Sequence, residues 1–203
     1  IVRVVGLVVL EMAMSKRNGL SEEQEHDFVR QLESLPGRIN QLLQFKDDIE
    51  NMAKEFSNKH HALFLGRGSF LPVAMEGALK LKEISYIHAE SYAAGELKHG
   101  PLALVDDDMP VVAVAPNDHL LEKLKSNLQE VQARGGKLYI FADKNSEVEN
   151  SDDMYVLKIN TICDHMAPII YTVPLQLLAY YVAVIKGADI DQPRNLAKSV
   201  TVE

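Results

Sequence analysis

The sequence is poor in cysteine and in positive charge, and each shortage excludes a class of protein. Its one cysteine, Cys163, has no partner for an internal disulfide, which is typical of a reducing compartment. Acidic residues outnumber basic ones by 29 to 21, so the formal net charge is −8 and a nucleic-acid-binding surface is not indicated. A sugar phosphate stays compatible with this charge, because backbone N–H groups bind phosphate locally.

A metal-ligand pattern is also lacking. His60 and His61 are adjacent, so their side chains point in different directions, and no other spacing of cysteine and histidine is typical of a metal site. We therefore expect neither a metal nor another cofactor. The 203 residues contain no internal repeat and suffice for one domain of ordinary size with appendages.

Two apolar stretches raise the question of a membrane. Residues 1–14 are too short to span one and contain Arg3 and Glu11. Residues 166–185 are long enough and uncharged, but they hold two prolines, Gln176 and three tyrosines, and no basic cluster precedes them. A buried helix at a core or subunit contact is favoured over a spanning helix, and we expect a cytoplasmic protein.

The order of the apolar segments predicts an α/β fold. Short apolar runs at 62–66, 109–116, 137–143 and 154–159 are typical of buried strands, and residues 87–92 are predicted to form one further short strand. Helical segments alternate with them, which predicts a three-layer, doubly wound, flavodoxin-like sheet of five parallel strands. Helical patterns at 21–34 and 36–57 precede the sheet, and Ser21 with Gln24 forms a capping-box pair at the first of them.

The first strand-to-helix turn, Gly66-Arg67-Gly68, lies where open parallel sheets bind ligands, before a helix that begins near Leu71. A bare GxG is explained at least as well by a tight turn as by a phosphate site. Asn117 follows a later strand, and we expect it to cap the next helix.

Charged residues follow the first turn in a helical pattern. Glu76, Lys80 and Glu83 are spaced i, i+4, i+7 and so share one helix face, where a solvated salt-bridge ladder is the favoured interpretation on spacing alone. His99 follows in a turn, after a segment of small residues that would let a substrate approach the backbone. A single histidine is nevertheless more often structural than catalytic.

The C-terminal segment contains one lysine, Lys198, among small and apolar residues. A free lysine has a pKa of about 10.4 and is not nucleophilic at neutral pH. Burial or a second cation lowers that pKa and frees the amine to form a Schiff base with a carbonyl. Lys80 is a candidate for the second cation, so a catalytic tail is one possible interpretation.

Two long segments carry a family resemblance. They read GRGSFLPVAMEGALKLKEISYIHAESYAAGELKHGPLALV (66–105) and DQPRNLAKSVTVE (191–203). Both resemble the glutamine:fructose-6-phosphate aminotransferases, the glucosamine-6-phosphate synthases. The likeness runs along the whole chain but covers only the C-terminal part of those enzymes. It implies three parts: 1–19 as the terminal helix of a first sugar-isomerase (SIS) lobe, 20–190 as the second SIS lobe, and 191–203 as a catalytic tail.

The resemblance also implies an activity and a site. The family makes glucosamine 6-phosphate from fructose 6-phosphate and ammonia, which an N-terminal glutaminase domain releases from glutamine, and it acts as a homodimer without a metal. By this likeness Lys198 forms the Schiff base with the ketose, and Glu83 carries the proton between C1 and C2. His99 helps to open the sugar ring in the neighbouring subunit's site. Lys80 lies near the reacting lysine, and the backbone of Ala197 lies against the sugar.

The family's phosphate-binding loop and its N-terminal glutaminase cysteine are not in this sequence, and Cys163 matches no catalytic motif. Because both are missing, we expect the chain alone to be inactive and to bind fructose 6-phosphate poorly. It begins without methionine inside a helix-like segment, so we interpret it as part of a longer protein. The alternative is a non-catalytic SIS module that senses a sugar phosphate. A dimerisation scaffold is a third interpretation, compatible with the first.

Overall fold

The computed structural model describes residues 2–161 and 165–194 of the chain. Within these ranges the helices are α1 (Val2–Arg17), α2 (Glu22–Leu42), α3 (Lys46–Lys54), α4 (Leu71–Ser85), α5 (Leu121–Gln132) and α6 (Ala167–Ile185). The strands are β1 (His61–Gly66), β2 (His88–Ala93), β3 (Val111–Ala115), β4 (Leu138–Asp143) and β5 (Met154–Ile159). Short 3-10 helices occupy Leu43–Phe45, Gly68–Phe70, Ala94–His99 and Pro101–Leu104.

The five strands form one parallel sheet in the order β2-β1-β3-β4-β5. Strand β1 lies inside the sheet, and β2 follows it at one edge. The chain then crosses back, and β3, β4 and β5 add in turn on the other side of β1, so the strand order reverses between β1 and β3. Every residue of β3 and of β4 is buried, because helices cover both faces of the sheet. The predicted five-stranded, doubly wound α/β fold is confirmed.

The two faces of the sheet carry different layers. On the face that we call the α4 face, α2, α3, α4 and α6 pack against strand side chains such as Phe64 and Val112. On the opposite face, which we call the α5 face, α5 and residues 94–105 pack against side chains such as Leu65 and Ala113. Successive residues of one strand point to opposite faces, so each strand contributes to both cores.

Helix α6 explains the long apolar run. It is long and apolar enough to cross a membrane by length and composition alone. In the structure 11 of its 19 residues are buried, and it packs against α2, α3 and α4. Its hydrophobicity is therefore accounted for by the core, as the sequence predicted.

Helix α1 differs from α6, because it presents apolar side chains to solvent. None of its residues is buried, and Val2, Leu7 and Met14 are 86%, 64% and 58% exposed. It contacts α2 and places partly buried side chains such as Val5 against the core.

Two local predictions have different outcomes. Ser21 begins α2 with a complete capping box, as expected. Asn117 does not cap α5: the N-cap is Leu120, whose backbone N–H donates to the Asp118 carboxylate over 2.8 Å. The prediction failed because the helix begins four residues beyond Asn117, after a turn closed by Asp118.

Candidate functional site

Two of the predicted site residues meet on α4. The Lys80 ammonium lies 2.5 Å from a Glu83 carboxylate oxygen, and the two side chains are 32% and 26% exposed. Helix α4 buries Ala74, Ala78 and Leu81 against the sheet and α6, which leaves Lys80 and Glu83 at the border between core and solvent. An ion pair in this position is neither fully solvated nor desolvated.

Glu76 does not join this pair, although the spacing placed it on the same face. One of its carboxylate oxygens accepts a hydrogen bond from Gln176 on α6 over 3.2 Å. The predicted ladder of three charges is therefore one ion pair and one inter-helix hydrogen bond. Sequence spacing could not reveal this, because Gln176 lies 100 positions away along the chain.

Helix α4 ends at a residue that the sequence analysis did not single out. Tyr86 occupies its C-cap in the left-handed conformation, with φ 61° and ψ 17°. Glycine is the usual residue there, since a side chain adds strain. The tyrosine hydroxyl accepts a hydrogen bond from the backbone N–H of Arg194 over 3.0 Å, and the Arg194 guanidinium carbon lies 4.1 Å from the centre of the tyrosine ring.

This contact brings the C-terminal segment to the end of α4. Tyr86 follows Glu83 by three positions, which corresponds to about 4.5 Å of rise along a helix. The chain therefore reaches Arg194 at the C-terminal end of the helix that carries the Lys80–Glu83 pair. Lys198 and Ala197, the other predicted site residues, lie outside the described residues, as does Cys163.

His99 lies elsewhere. It ends the 3-10 helix Ala94–His99, whose Ala94 and Leu97 are buried in the core of the α5 face. Its side chain is 75% exposed, with Nε2 4.0 Å from a Glu96 carboxylate oxygen. The neighbouring Lys98 pairs with Glu130 on α5 over 2.8 Å. Within one chain the sheet therefore separates His99 from Glu83.

The Gly66-Arg67-Gly68 turn has a structural explanation. A side chain on Gly66 would meet the Phe70 carbonyl oxygen at 2.3 Å, and Gly68 has a φ of 56°. The Arg67 guanidinium donates to the Asn127 side chain on α5 over 2.9 Å and packs against Gly95. The arginine is thus used to hold the 94–99 segment beside α5. The tight-turn interpretation is the one that these contacts favour.

A cavity of about 290 Å³ does lie at the reversal of strand order, beyond the ends of β1, β3 and β4. Its polar lining includes Ser69, Asp118, His119, Asp143 and Thr161. Asp118 accepts from the backbone of Leu120, and Asp143 accepts from the backbone of Asn145 and from the Thr161 hydroxyl. Two carboxylates at this position oppose the binding of a phosphate dianion.

The edge strand β2 carries a separate polar cluster. The Tyr92 hydroxyl donates to Glu90 over 2.5 Å, and His88 lies 3.4 Å from the same carboxylate. The Tyr92 hydrogen bond is the main cause that lowers the pKa of Glu90, and the same bond raises the pKa of Tyr92. Over residues 2–161 and 165–194, no group of three or more His, Cys, Asp or Glu side chains is arranged to hold a metal.

Comparison with known proteins places this geometry in context. The family model described as the SIS domain matches residues 55–186. The chain is 63% identical over 197 residues to the glutamine–fructose-6-phosphate aminotransferase [isomerizing] of Escherichia coli strain K12. The match covers 97% of this chain and 32% of that protein, so the chain spans about a third of the length of the curated relatives it matches.

Solved structures agree with the sequence matches. The C-terminal domain of glucosamine-fructose-6-phosphate aminotransferase from Francisella tularensis superposes with a TM-score of 0.89 at 51% identity, over 93% of this chain and 53% of that one. A glucosamine-6-phosphate deaminase from Thermotoga maritima gives a TM-score of 0.70 at 26% identity, over 98% of this chain and 56% of that one. The chain is similar to the C-terminal, isomerase half of the aminotransferases.

Proposed function

The chain belongs to the SIS domain family, and from that premise we propose that it forms the second SIS lobe and catalytic tail of an isomerizing glutamine–fructose-6-phosphate aminotransferase. In this proposal residues 20–190 are the second lobe and residues 191–203 the tail. Residues 1–19 belong to the first lobe, a proposal supported by the absence of buried residues from α1. The full-length enzyme is cytoplasmic and converts fructose 6-phosphate and glutamine-derived ammonia to glucosamine 6-phosphate.

The observation that carries the proposal is the meeting of α4 with the C-terminal segment. The carboxylate of Glu83 is paired with Lys80, and Arg194 is bound to Tyr86 three positions further on. Lys198 follows Arg194 by four positions, a distance that even a fully extended chain limits to about 14 Å. We propose that Lys198, held to this span, acts on the same small sugar as Lys80 and Glu83.

The proposed chemistry uses these groups in sequence. The uncharged amine of Lys198 attacks the C2 carbonyl of the open-chain ketose, and water leaves as the Schiff base forms. Ammonia then displaces the lysine and leaves an imine at C2. Glu83 removes a proton from C1 and returns a proton to C2, which makes the aldose carrying an amino group at C2. This sequence needs no oxidant and no metal.

His99 acts in this proposal on the site of a second subunit. The sheet lies between His99 and Glu83 of one chain, since one is on the α5 face and the other on the α4 face. The exposed imidazole is free to enter a site on a neighbouring copy, where it assists opening of the sugar ring. The homodimer is thus part of the proposed active unit.

The proposal assigns phosphate binding to the first lobe. The cavity at the strand-order reversal contains Asp118 and Asp143, and Arg67 is bound to Asn127 on α5. These features argue against a sugar-phosphate sensor built from this lobe, which requires hydroxyl and N–H groups around the phosphate. We therefore expect titration calorimetry on the isolated chain to detect no micromolar binding of fructose 6-phosphate.

The direct test is borohydride trapping in the full-length enzyme that contains this chain. Fructose 6-phosphate and borohydride are expected to label one lysine, and peptide mapping is expected to place the label on Lys198. Sorbitol 6-phosphate, which has no carbonyl and cannot form a Schiff base, serves as the control ligand. A label on Lys80 or on another lysine would contradict the role of Lys198.

A further inference from the structure

Tyr86 is placed at a position that tyrosine does not favour. It holds the left-handed C-cap of α4, where a bulky residue is a genuine outlier and glycine fits without strain. A strained residue that persists in this way points to a use for its side chain. Tyr86 is 37% exposed, so burial of its ring in a core does not supply that use.

The use visible in the structure is contact with Arg194. The hydroxyl accepts from the Arg194 backbone N–H over 3.0 Å, and the ring lies under the guanidinium at 4.1 Å. One contact fixes the main chain, and the other fixes the side chain. Two independent contacts at one residue restrain both the position and the direction of the chain at that point.

We propose that Tyr86 is a positioning residue that anchors Arg194 and thereby sets the distance between the tail lysine, Lys198, and the Lys80–Glu83 pair. This inference rests on the proposed function of Lys198. The anchor shortens the effective tether of Lys198 from the end of α6, at Ile185, to the four positions that follow Arg194. A shorter tether raises the concentration of the amine at the sugar carbonyl.

The strained conformation supplies a test that separates anchoring from stability. Tyr86→Gly removes the strain together with both contacts, so we expect the melting temperature of the full-length enzyme to stay equal or rise while the tail is released. Tyr86→Phe removes the hydrogen bond and keeps the ring. Tyr155→Phe is the matched control, because Tyr155 is also 37% exposed but lies on β5.

Two measurements report the anchor without reference to catalysis. Hydrogen exchange at the Arg194 amide, read by mass spectrometry with electron-transfer fragmentation, is expected to accelerate about tenfold in Tyr86→Phe and Tyr86→Gly. Trypsin cleavage after Arg194 is expected to accelerate in Tyr86→Gly and to change little in Tyr86→Phe, where the ring remains under the guanidinium. Unchanged exchange and cleavage in Tyr86→Gly would overturn the anchor.

Kinetics then test the positioning role. Tyr86→Gly is expected to lower kcat and the rate of borohydride trapping about tenfold, with a smaller change in KM for fructose 6-phosphate, because the phosphate is bound elsewhere. Arg194→Lys, which keeps a cation over the ring, is expected to retain more activity than Arg194→Ala.

A released tail with unchanged kcat would overturn the positioning role. If the wild-type enzyme is not trapped at Lys198, the proposed function fails instead, whatever the exchange data give.

Discussion

The two faces of the sheet carry different candidate catalytic groups. The α4 face holds a paired lysine and glutamate, and a tyrosine that receives the C-terminal segment. The α5 face holds one exposed histidine on a segment fixed to α5 by Arg67 and by Lys98. In the proposed function, a single lobe thus contributes groups from both faces of its sheet. We infer that it serves two sites at once, with its lysine and glutamate in one and its histidine in the other.

The largest effect is expected on the α4 face, at the tail lysine. Lys198→Arg keeps the positive charge but cannot form a Schiff base. We expect sugar-isomerising turnover of the full-length enzyme to fall by at least about a thousandfold, as is common when a nucleophile is removed. The measurement is kcat for glucosamine 6-phosphate formation, with trapping as a second readout. Full turnover in this variant would show that the α4 face does not act through the lysine.

A smaller effect, on the α5 face, tests whether the two faces serve different sites. His99→Asn is expected to lower kcat about a hundredfold, the scale of lost acid–base assistance. Mixed dimers of Glu83→Gln and His99→Asn chains are the sharper test. If His99 acts on the partner's site, each mixed dimer contains one intact site, and activity returns to about half of the wild-type value per dimer.

The opposite outcome has a definite meaning. If His99 and Glu83 served the same chain's site, both sites of a mixed dimer would carry one defect. Mixing the two variants would then restore no activity, and the division of labour between the faces would be wrong.

A moderate effect is expected at Lys80, which belongs to the α4 face but is not assigned a covalent role. Lys80→Met removes an ammonium group that pairs with Glu83 and, in the proposed site, lies near the reacting Lys198. We expect kcat to fall about tenfold and the pH profile of borohydride trapping to move to higher pH, since a nearby cation favours an uncharged amine. The melting temperature should change little, because a partly exposed ion pair contributes about 0–1 kcal/mol. An unmoved pH profile would contradict the cation's role.

The smallest effect is expected at the edge strand β2, which carries none of the residues assigned to the two proposed sites. The pKa of Glu90 is lowered in the folded state, chiefly by the Tyr92 hydroxyl, so this contribution to stability is present above the ordinary pKa of a glutamate and is lost as pH falls through the lowered pKa. Tyr92→Phe removes that cause. We expect its melting temperature to fall slightly less than that of the wild type on acidification below about pH 4.5. An equal loss of stability in the two proteins would contradict the assignment.

The sequence predicted the features that depend on local pattern. Four apolar runs and the short segment at 87–92 correspond to the five strands, and the apolar stretch at 166–185 forms the buried helix α6. The Ser21 capping box formed because its two partners are only three positions apart. These features follow from side-chain period and short-range hydrogen bonds, which a sequence displays directly.

Features that depend on distant neighbours were not predictable in the same way. The spacing of α4 did not reveal that Glu76 binds Gln176 rather than the lysine. The sequence also did not reveal the left-handed conformation of Tyr86. Nor did it reveal the contact of Tyr86 with Arg194, which lies 108 positions away along the chain. The separation of His99 from Glu83 required the order of the strands. In each case tertiary packing decides between arrangements that the local sequence permits equally.

The central claim is that the carboxylate of Glu83 moves the hydrogen between two sugar carbons after the lysine has bonded to the ketose. It is tested most directly with the full-length Glu83→Gln enzyme and fructose 6-phosphate in deuterated water. We predict that borohydride still labels Lys198 in this variant, while exchange of the C1 hydrogen with solvent and formation of the aldose are both lost. Exchange at the wild-type rate in Glu83→Gln would contradict the account, because another group would then be moving the proton.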